Sequence, residues 1–148
     1  MRVNSQQLKL SDACHKADVP GRKMIYIVED DEGVRKSLSR LMRSVGYPSQ
    51  DFGSAEEFLA TVDAHEEGCV LLDITMPHMT GLQLQTELTR RHIDWPVIAV
   101  SARDDADTRA MARQLGARYF FRKPVDDQAL IDAIQWVLAS KHHDPAKP

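Results

Sequence analysis

The stretch MIYIVEDD at residues 24–31 joins an apolar run directly to three acidic residues. Its first five residues are apolar and rich in β-forming side chains, which predicts a short buried strand. Glu29, Asp30 and Asp31 follow at once, and apolar residues then recur at helical spacing until Gly46, which closes the predicted helix. The stretch therefore predicts a buried strand that ends on acids and leads into a helix.

The same strand-then-helix pattern recurs along the chain. A weak strand near residues 47–52 precedes a helix whose start is marked by Ser54 and Glu57, spaced as a capping box. Further strands are predicted at residues 69–72, 97–100 and 118–121, with helices after Gly81, over residues 105–115 and around residues 130–138. Five such units predict an α/β fold with a five-stranded parallel sheet, doubly wound as (βα)5.

Length and pattern divide the chain into three parts. Its 148 residues suit one domain. Residues 1–23 are polar and aperiodic, which predicts a flexible N-terminal extension, and residues 24–140 hold all the predicted elements. Residues 141–148 are expected to be a C-terminal tail or the start of a linker.

Composition excludes several classes of function. The net charge is −3, and both chain ends are basic, so residues 24–140 are more acidic than that value suggests. An acidic domain is a poor match for phosphate backbones, so direct nucleic-acid binding by this segment is not expected. No apolar run approaches the roughly 18 residues of a membrane span. Two scattered cysteines and no signal peptide predict a reducing, cytoplasmic location.

Chemically useful side chains follow the predicted strands. Glu29 and Asp30 follow the first strand, Asp73 the third, Ser101 the fourth and Lys123 the fifth. Because the carboxyl ends of parallel strands meet at one edge, these groups should converge on one cleft. Clustered carboxylates suit Mg²⁺, a carboxylate can act as a nucleophile, and an ammonium can stabilise a phosphoryl group in transfer.

Four motifs in order resemble the CheY-like receiver domains of response regulators, which have a flavodoxin-like fold. They are IVEDD at residues 27–31, LDITMP at 72–77, VSA at 100–102 and FRKP at 121–124. The resemblance covers roughly residues 23–139, and VRKSL at 34–38 with the residues around Met76 and Pro77 is most similar to the FixJ-type subgroup. It implies a two-component protein that accepts a phosphoryl group from a sensor histidine kinase.

The resemblance assigns the phosphoacceptor and metal roles. It implies that Asp73 is the phosphoacceptor and that Asp30 binds Mg²⁺ directly, with Mn²⁺ as a substitute. Glu29 would act on the metal through water, and Thr75 would contribute its backbone carbonyl. Glu29 stands where Asp is more usual in the family, so metal affinity is the property most affected by this departure.

The resemblance also assigns the phosphoryl-binding and switch roles. Ser101 and Lys123 match the residues that contact the phosphoryl oxygens, although the family has Thr more often at the serine position. Ser101 and Phe120 match the switch pair, and the Lys123–Pro124 peptide bond is expected to be cis. His78 stands where Asp or Gly is common.

Each residue also has a simpler interpretation. Asp31 fits an N-cap of the following helix better than a ligand. Taken alone, Ser101 fits a helix cap, Lys123 a solvated surface lysine and Phe120 a core residue. The simpler interpretation does not explain why an acidic pair directly follows a buried strand.

Two classes of function use an aspartyl nucleophile on a sheet of this kind. One is a signalling module, and the other is an aspartyl phosphatase, whose motif needs a second Asp where Thr75 stands. The first is preferred, so the chain is not expected to be an enzyme. It is either the receiver of a transcription regulator with a helix-turn-helix output or a single-domain phosphoryl shuttle. The face of the fourth helix, fifth strand and last helix carries both charge signs, which favours a homodimer on phosphorylation.

Overall fold

The computed structural model describes residues 23–63, 67–103 and 105–140, and the predicted extension and tail lie outside these ranges apart from Lys23. The strands are β1 (Met24–Val28), β2 (Ser49–Phe52), β3 (Gly68–Asp73), β4 (Val97–Ser101) and β5 (Ala117–Arg122). The helices are α1 (Glu32–Ser44), α2 (Ala55–Thr61), α3 (Gly81–Arg90), α4 (Ala106–Gln114) and α5 (Asp127–Ser140).

All five strands are parallel and form one sheet in the order β2-β1-β3-β4-β5. The order reverses between β1 and β3, which is where an open parallel sheet forms a crevice at its carboxyl edge. Val28 pairs with Leu72, so the residues that follow β1 lie beside the end of β3. The predicted doubly wound α/β fold is confirmed.

Alternate residues of the strands fill two separate cores. Val28 and Leu72 face the core that also contains Phe58 of α2 and Leu84 of α3. Their neighbours along the strands, such as Ile27, face the core covered by α1 and α5. Because β1, β3 and β4 are covered on both faces, they are continuous apolar runs, whereas β2 lies at an edge and is polar.

Side-chain caps begin most of the helices. Asp31 accepts from the Val34 N–H and caps α1, as its position predicts. Ser54 caps α2, but the Glu57 carboxylate accepts from the Gly53 N–H and does not bond back to Ser54, so the predicted capping box is only half formed. A complete capping box begins α3, with Thr80 and Gln83 as its two members.

The structure extends three predicted strands, β3, β4 and β5, and shortens the helix predicted over residues 105–115 to Ala106–Gln114. β4 continues through Ser101, and β5 runs from Ala117 to Arg122. Both extensions are explained by pairing, because Ser101 lies opposite Arg122 at the ends of these two strands. In residues 23–63, 67–103 and 105–140, no helix is both long and apolar enough to cross a membrane.

Candidate functional site

Three carboxylates meet at the carboxyl edge of the sheet. Asp73 is the last residue of β3 and is 2% exposed, and Glu29 directly follows β1 and is 1% exposed. Asp30 is exposed beside them. One oxygen from each of the three lies within 4.8 Å of the others. The structure therefore brings the predicted acidic pair and the predicted phosphoacceptor into one group.

Lys123 enters this group from the far side of the sheet. Its ammonium Nζ lies 2.8 Å from Glu29 Oε1 and 3.5 Å from Asp73 Oδ2. The Lys123 backbone N–H donates to the Ser101 carbonyl at 2.9 Å, and its peptide bond to Pro124 is cis. The lysine is thus paired more closely with Glu29 than with Asp73, which the pattern of motifs did not predict.

The Asp73 carboxylate is oriented by the loop that follows it. Its Oδ1 accepts from the Thr75 N–H at 3.1 Å and lies 3.4 Å from the Thr75 hydroxyl. Gly81 allows this loop to return close to the strand, because a Cβ on Gly81 would lie 2.6 Å from the Asp73 carbonyl oxygen. One carboxylate oxygen is therefore fixed by Thr75, and the other faces Lys123.

Burial and neighbouring acids make the Asp73 carboxylate hard to ionise without a cation. Desolvation, hydrogen bonds with Asp30 and Glu29, and the negative charge of Glu29 raise the pKa of Asp73 to about 8, against the opposing effect of Lys123. For Lys123, burial alone lowers the pKa, but Glu29 and Asp73 outweigh it and raise the pKa overall. Three carboxylates around one ammonium leave an excess of negative charge.

Ser101 lies at the same edge, one strand away from Asp73. It ends β4, is fully buried, and its Oγ accepts from the Arg103 N–H at 3.0 Å. Asp73 pairs with Val100, so Ser101 is one residue further along the sheet than the partner of Asp73. The N-cap of α4 is Asp105, so Ser101 does not serve as that cap.

Phe120 lies deeper in β5, opposite Ala99. Its ring is partly buried against the core, and the Arg109 guanidinium of α4 lies 5.6 Å from the ring centroid. This geometry is within the range of a cation–π contact. The predicted switch aromatic therefore contacts α4.

One contact of the site involves a residue to which the motif analysis gave no role. The Arg35 guanidinium on α1 donates from Nη1 to the Glu29 carbonyl at 2.9 Å. The arginine lies six residues after the acid, within the VRKSL motif that was used only for the family resemblance.

A parallel sheet with a buried aspartate, an acidic pair and a lysine at its carboxyl edge is the arrangement expected of a receiver domain. The model of the response regulator receiver domain family matches residues 25–135. The chain therefore belongs to the response regulator receiver domain family.

Relatives of known name agree with this assignment. The chain is 39% identical to Nodulation protein W of Bradyrhizobium diazoefficiens over 76% of this chain and 50% of that protein. It is 39% identical to the transcriptional regulatory protein TdiR of Thauera aromatica over 78% of this chain and 51% of that protein. The chain thus spans about half the length of the curated relatives it matches.

A solved structure supports the resemblance to the FixJ-type subgroup of receiver domains. The structure titled FixJ-N superposes with a TM-score of 0.74 at 34% identity and covers 82% of this chain and 96% of that one. The predicted resemblance to FixJ-type receivers is confirmed.

Proposed function

We propose that this chain accepts a phosphoryl group on Asp73 from a partner sensor histidine kinase. The observation that carries the proposal is the buried Asp73 carboxylate, grouped with Glu29 and Asp30 and 3.5 Å from the Lys123 ammonium. An O–P bond to an Asp73 carboxylate oxygen forms as the P–N bond to the kinase histidine breaks. The electron pair of that bond leaves with the imidazole nitrogen, and the product is an aspartyl phosphate.

The donor set fits a divalent cation. Glu29, Asp30 and Asp73 supply hard carboxylate oxygens, and the Thr75 backbone carbonyl would complete the protein ligands. These residues would hold Mg²⁺, with Mn²⁺ as a substitute. When bound, the cation supplies positive charge that neutralises the carboxylates and the incoming phosphoryl oxygens.

Ser101 and Lys123 bind the phosphoryl oxygens in the proposed product. The Ser101 hydroxyl, whose oxygen accepts from the Arg103 N–H, would donate to a phosphoryl oxygen, and this would draw the β4–α4 loop towards Asp73. The Lys123 ammonium would move from Glu29 towards the new charge, which is about −1.5 to −2.

The movement of the β4–α4 loop would reach the surface through Phe120. Its ring contacts Arg109, so a shift of α4 changes the face formed by α4, β5 and α5. That face carries basic residues and acidic residues, which suits a two-fold contact between copies. They are Arg109, Arg113, Arg118 and Arg122, and Asp105, Asp107, Asp126 and Asp127. A homodimer on phosphorylation is therefore part of the proposal.

The output is proposed from the relatives. TdiR is called a transcriptional regulatory protein, and the matched region is about half of its length. We infer that this receiver domain, residues 24–140, controls transcription in the cytoplasm through a further segment or a partner, without itself contacting nucleic acid. The alternative within the same class is a single-domain phosphoryl shuttle. In both cases the chain is labelled once and does not turn over substrate as an enzyme.

Labelling with acetyl phosphate and Mg²⁺ tests the proposal. The parent should gain the mass of one phosphoryl group, and hydroxylamine should remove it. Asp73→Asn should abolish the gain, because an amide is a far weaker nucleophile than a carboxylate. Asp94→Asn is the matched control, since Asp94 is exposed and lies outside the site. Undiminished labelling of Asp73→Asn would refute the assignment, and repeated hydrolysis of a generic phosphate ester would favour the phosphatase class.

A further inference from the structure

Arg35 of α1 contacts both β2 and the residue that follows β1. Its Nη1 donates to the Glu29 carbonyl at 2.9 Å, and its Nε lies 3.4 Å from Asp51 Oδ2 on β2. The arginine side chain is 20% exposed, whereas the other arginines of α1, Arg40 and Arg43, are exposed. Arg35 therefore lies against the domain and contacts the backbone of the site.

The Arg35 guanidinium packs against Gly53, in the turn that follows β2, and we call this space the Gly53 slot. A Cβ on Gly53 would lie 3.3 Å from Arg35 Nη1, closer than most packed neighbours. The same turn holds the other side of the Glu29 backbone, because the Glu29 N–H donates to the Phe52 carbonyl at 3.0 Å. Both backbone polar groups of Glu29 thus have partners, one on β2 and one on Arg35.

We propose that Arg35 is a positioning residue of the acidic site. Its planar guanidinium, held by Asp51 and the Gly53 slot, fixes the peptide that joins Glu29 to Asp30. This peptide sets the direction in which the Asp30 backbone continues, and so where both carboxylates lie relative to Asp73. The proposal rests on the proposed binding of a divalent cation by these carboxylates.

The charge of Arg35 alone would have the opposite effect from its positioning. A positive guanidinium near the acidic group repels a divalent cation, so its removal should strengthen cation binding if charge is all that matters. If Arg35 acts by fixing the ligands, its removal should weaken binding, as loss of outer partners of metal ligands does. The sign of the change therefore separates the two roles.

The test is a titration of the full chain with MgCl₂, followed by the NMR shifts of backbone amides around Asp73. Arg35→Met is expected to weaken Mg²⁺ binding by about tenfold. Arg40→Met is the matched control, because it removes the same charge from an exposed position on the same helix. It should change the affinity by less than about twofold, since exposed charges are screened by salt.

Two further variants keep the proposal testable if Arg35→Met folds poorly. Arg35→Lys keeps the charge but loses the fork that reaches Glu29 and Asp51 together, so it should also weaken binding. Gly53→Ala fills the slot and should weaken binding to a smaller extent. NMR shifts report only on folded molecules, so a loss of stability alone would not move the measured affinity.

Unchanged or tighter Mg²⁺ binding by Arg35→Met, or by Arg35→Lys if the first variant is unfolded, would overturn the proposal. Asp30→Asn separates this outcome from a failure of the metal site itself. If Asp30→Asn leaves Mg²⁺ binding intact, the proposed cation site is wrong. If Asp30→Asn weakens binding and neither arginine variant does, only the positioning role is wrong.

Discussion

Two clusters that differ in chemistry start only three residues apart, one on β1 and one directly after it. Tyr26 belongs to an aromatic cluster, in which its ring stacks on Trp95 at 4.9 Å and tilts against Phe58 at 5.6 Å. Glu29 belongs to the charged cluster with Asp73 and Lys123. Burial stabilises the aromatic rings, whereas burial of like charges opposes folding. The contrast teaches that the aromatic cluster supports the fold, whereas the charged cluster opposes folding, as the proposed phosphoacceptor site would.

The largest expected effect is on the aromatic cluster. Phe58 is fully buried against the rings of Tyr26 and Trp95, so Phe58→Ala leaves a cavity and should lower the free energy of unfolding by about 3–5 kcal/mol. Urea unfolding measures this loss. The folded fraction should still accept a phosphoryl group at Asp73. A cost below about 1 kcal/mol would show that the aromatic cluster is not the main support of the fold.

Removal of a negative charge from the charged cluster should raise the free energy of unfolding instead of lowering it. Without metal, Asp73→Asn should raise the free energy of unfolding at pH 9, where the folded parent carries a buried and ionised Asp73 carboxylate. The pKa of Asp73 is raised from 3.8 to about 8, so the folded chain holds a proton that the unfolded chain releases. The parent therefore loses stability as the pH rises from about 4 to about 8.

Asp73→Asn removes this titration, so its advantage over the parent should be small near pH 4 and grow with pH. Thermal melts in chelator at several pH values measure the difference. Destabilisation of the protein by Asp73→Asn at pH 9 would mean that the Lys123 contact outweighs the repulsion among the carboxylates. The charged cluster would then stabilise the fold, as the aromatic cluster does.

Substitution of Asp30 should change the metal-free stability less than substitution of Asp73. Because Asp30 is exposed, Asp30→Ala should raise metal-free stability by less than about 1 kcal/mol. It should also weaken Mg²⁺ binding, so that added MgCl₂ stabilises the parent more than the variant. Melts with and without MgCl₂ measure both effects. Clear destabilisation in chelator would indicate that Asp30 has a structural role.

The smallest effect concerns backbone strain at two histidines. His78, in the loop after Asp73, and His92, next to the core residue Ile93, have φ values of 66° and 61°. Gly tolerates this region better than other residues, so His92→Gly and His78→Gly should each stabilise by about 0.5–1 kcal/mol. Chemical denaturation measures both. A loss at either position would show that the histidine side chain makes compensating contacts.

Much of this organisation could be predicted from local patterns. The apolar runs and helical spacings predict the five βα units, and the polar residues at the strand ends predict that Asp30, Asp73 and Lys123 meet. These predictions succeed because strand direction and alternation follow from neighbouring residues.

The remaining features depend on contacts between residues distant in the chain. Lys123 pairs more closely with Glu29, 94 residues away in the chain, than with Asp73. The Arg35 contact depends on the space left by Gly53, and the stacking of Tyr26 on Trp95 depends on sheet order. None of these is encoded in a local spacing.

Chemical trapping of the label tests the central claim most directly, namely that the charged cluster exists to make Asp73 a phosphoacceptor. The chain would be incubated with acetyl phosphate and Mg²⁺, then reduced with borohydride, which converts an aspartyl phosphate to homoserine. Peptide mass spectrometry locates the converted residue. The account predicts homoserine at position 73 and unmodified aspartate at positions 30 and 51. Conversion at another aspartate, with Asp73 unmodified, would contradict it.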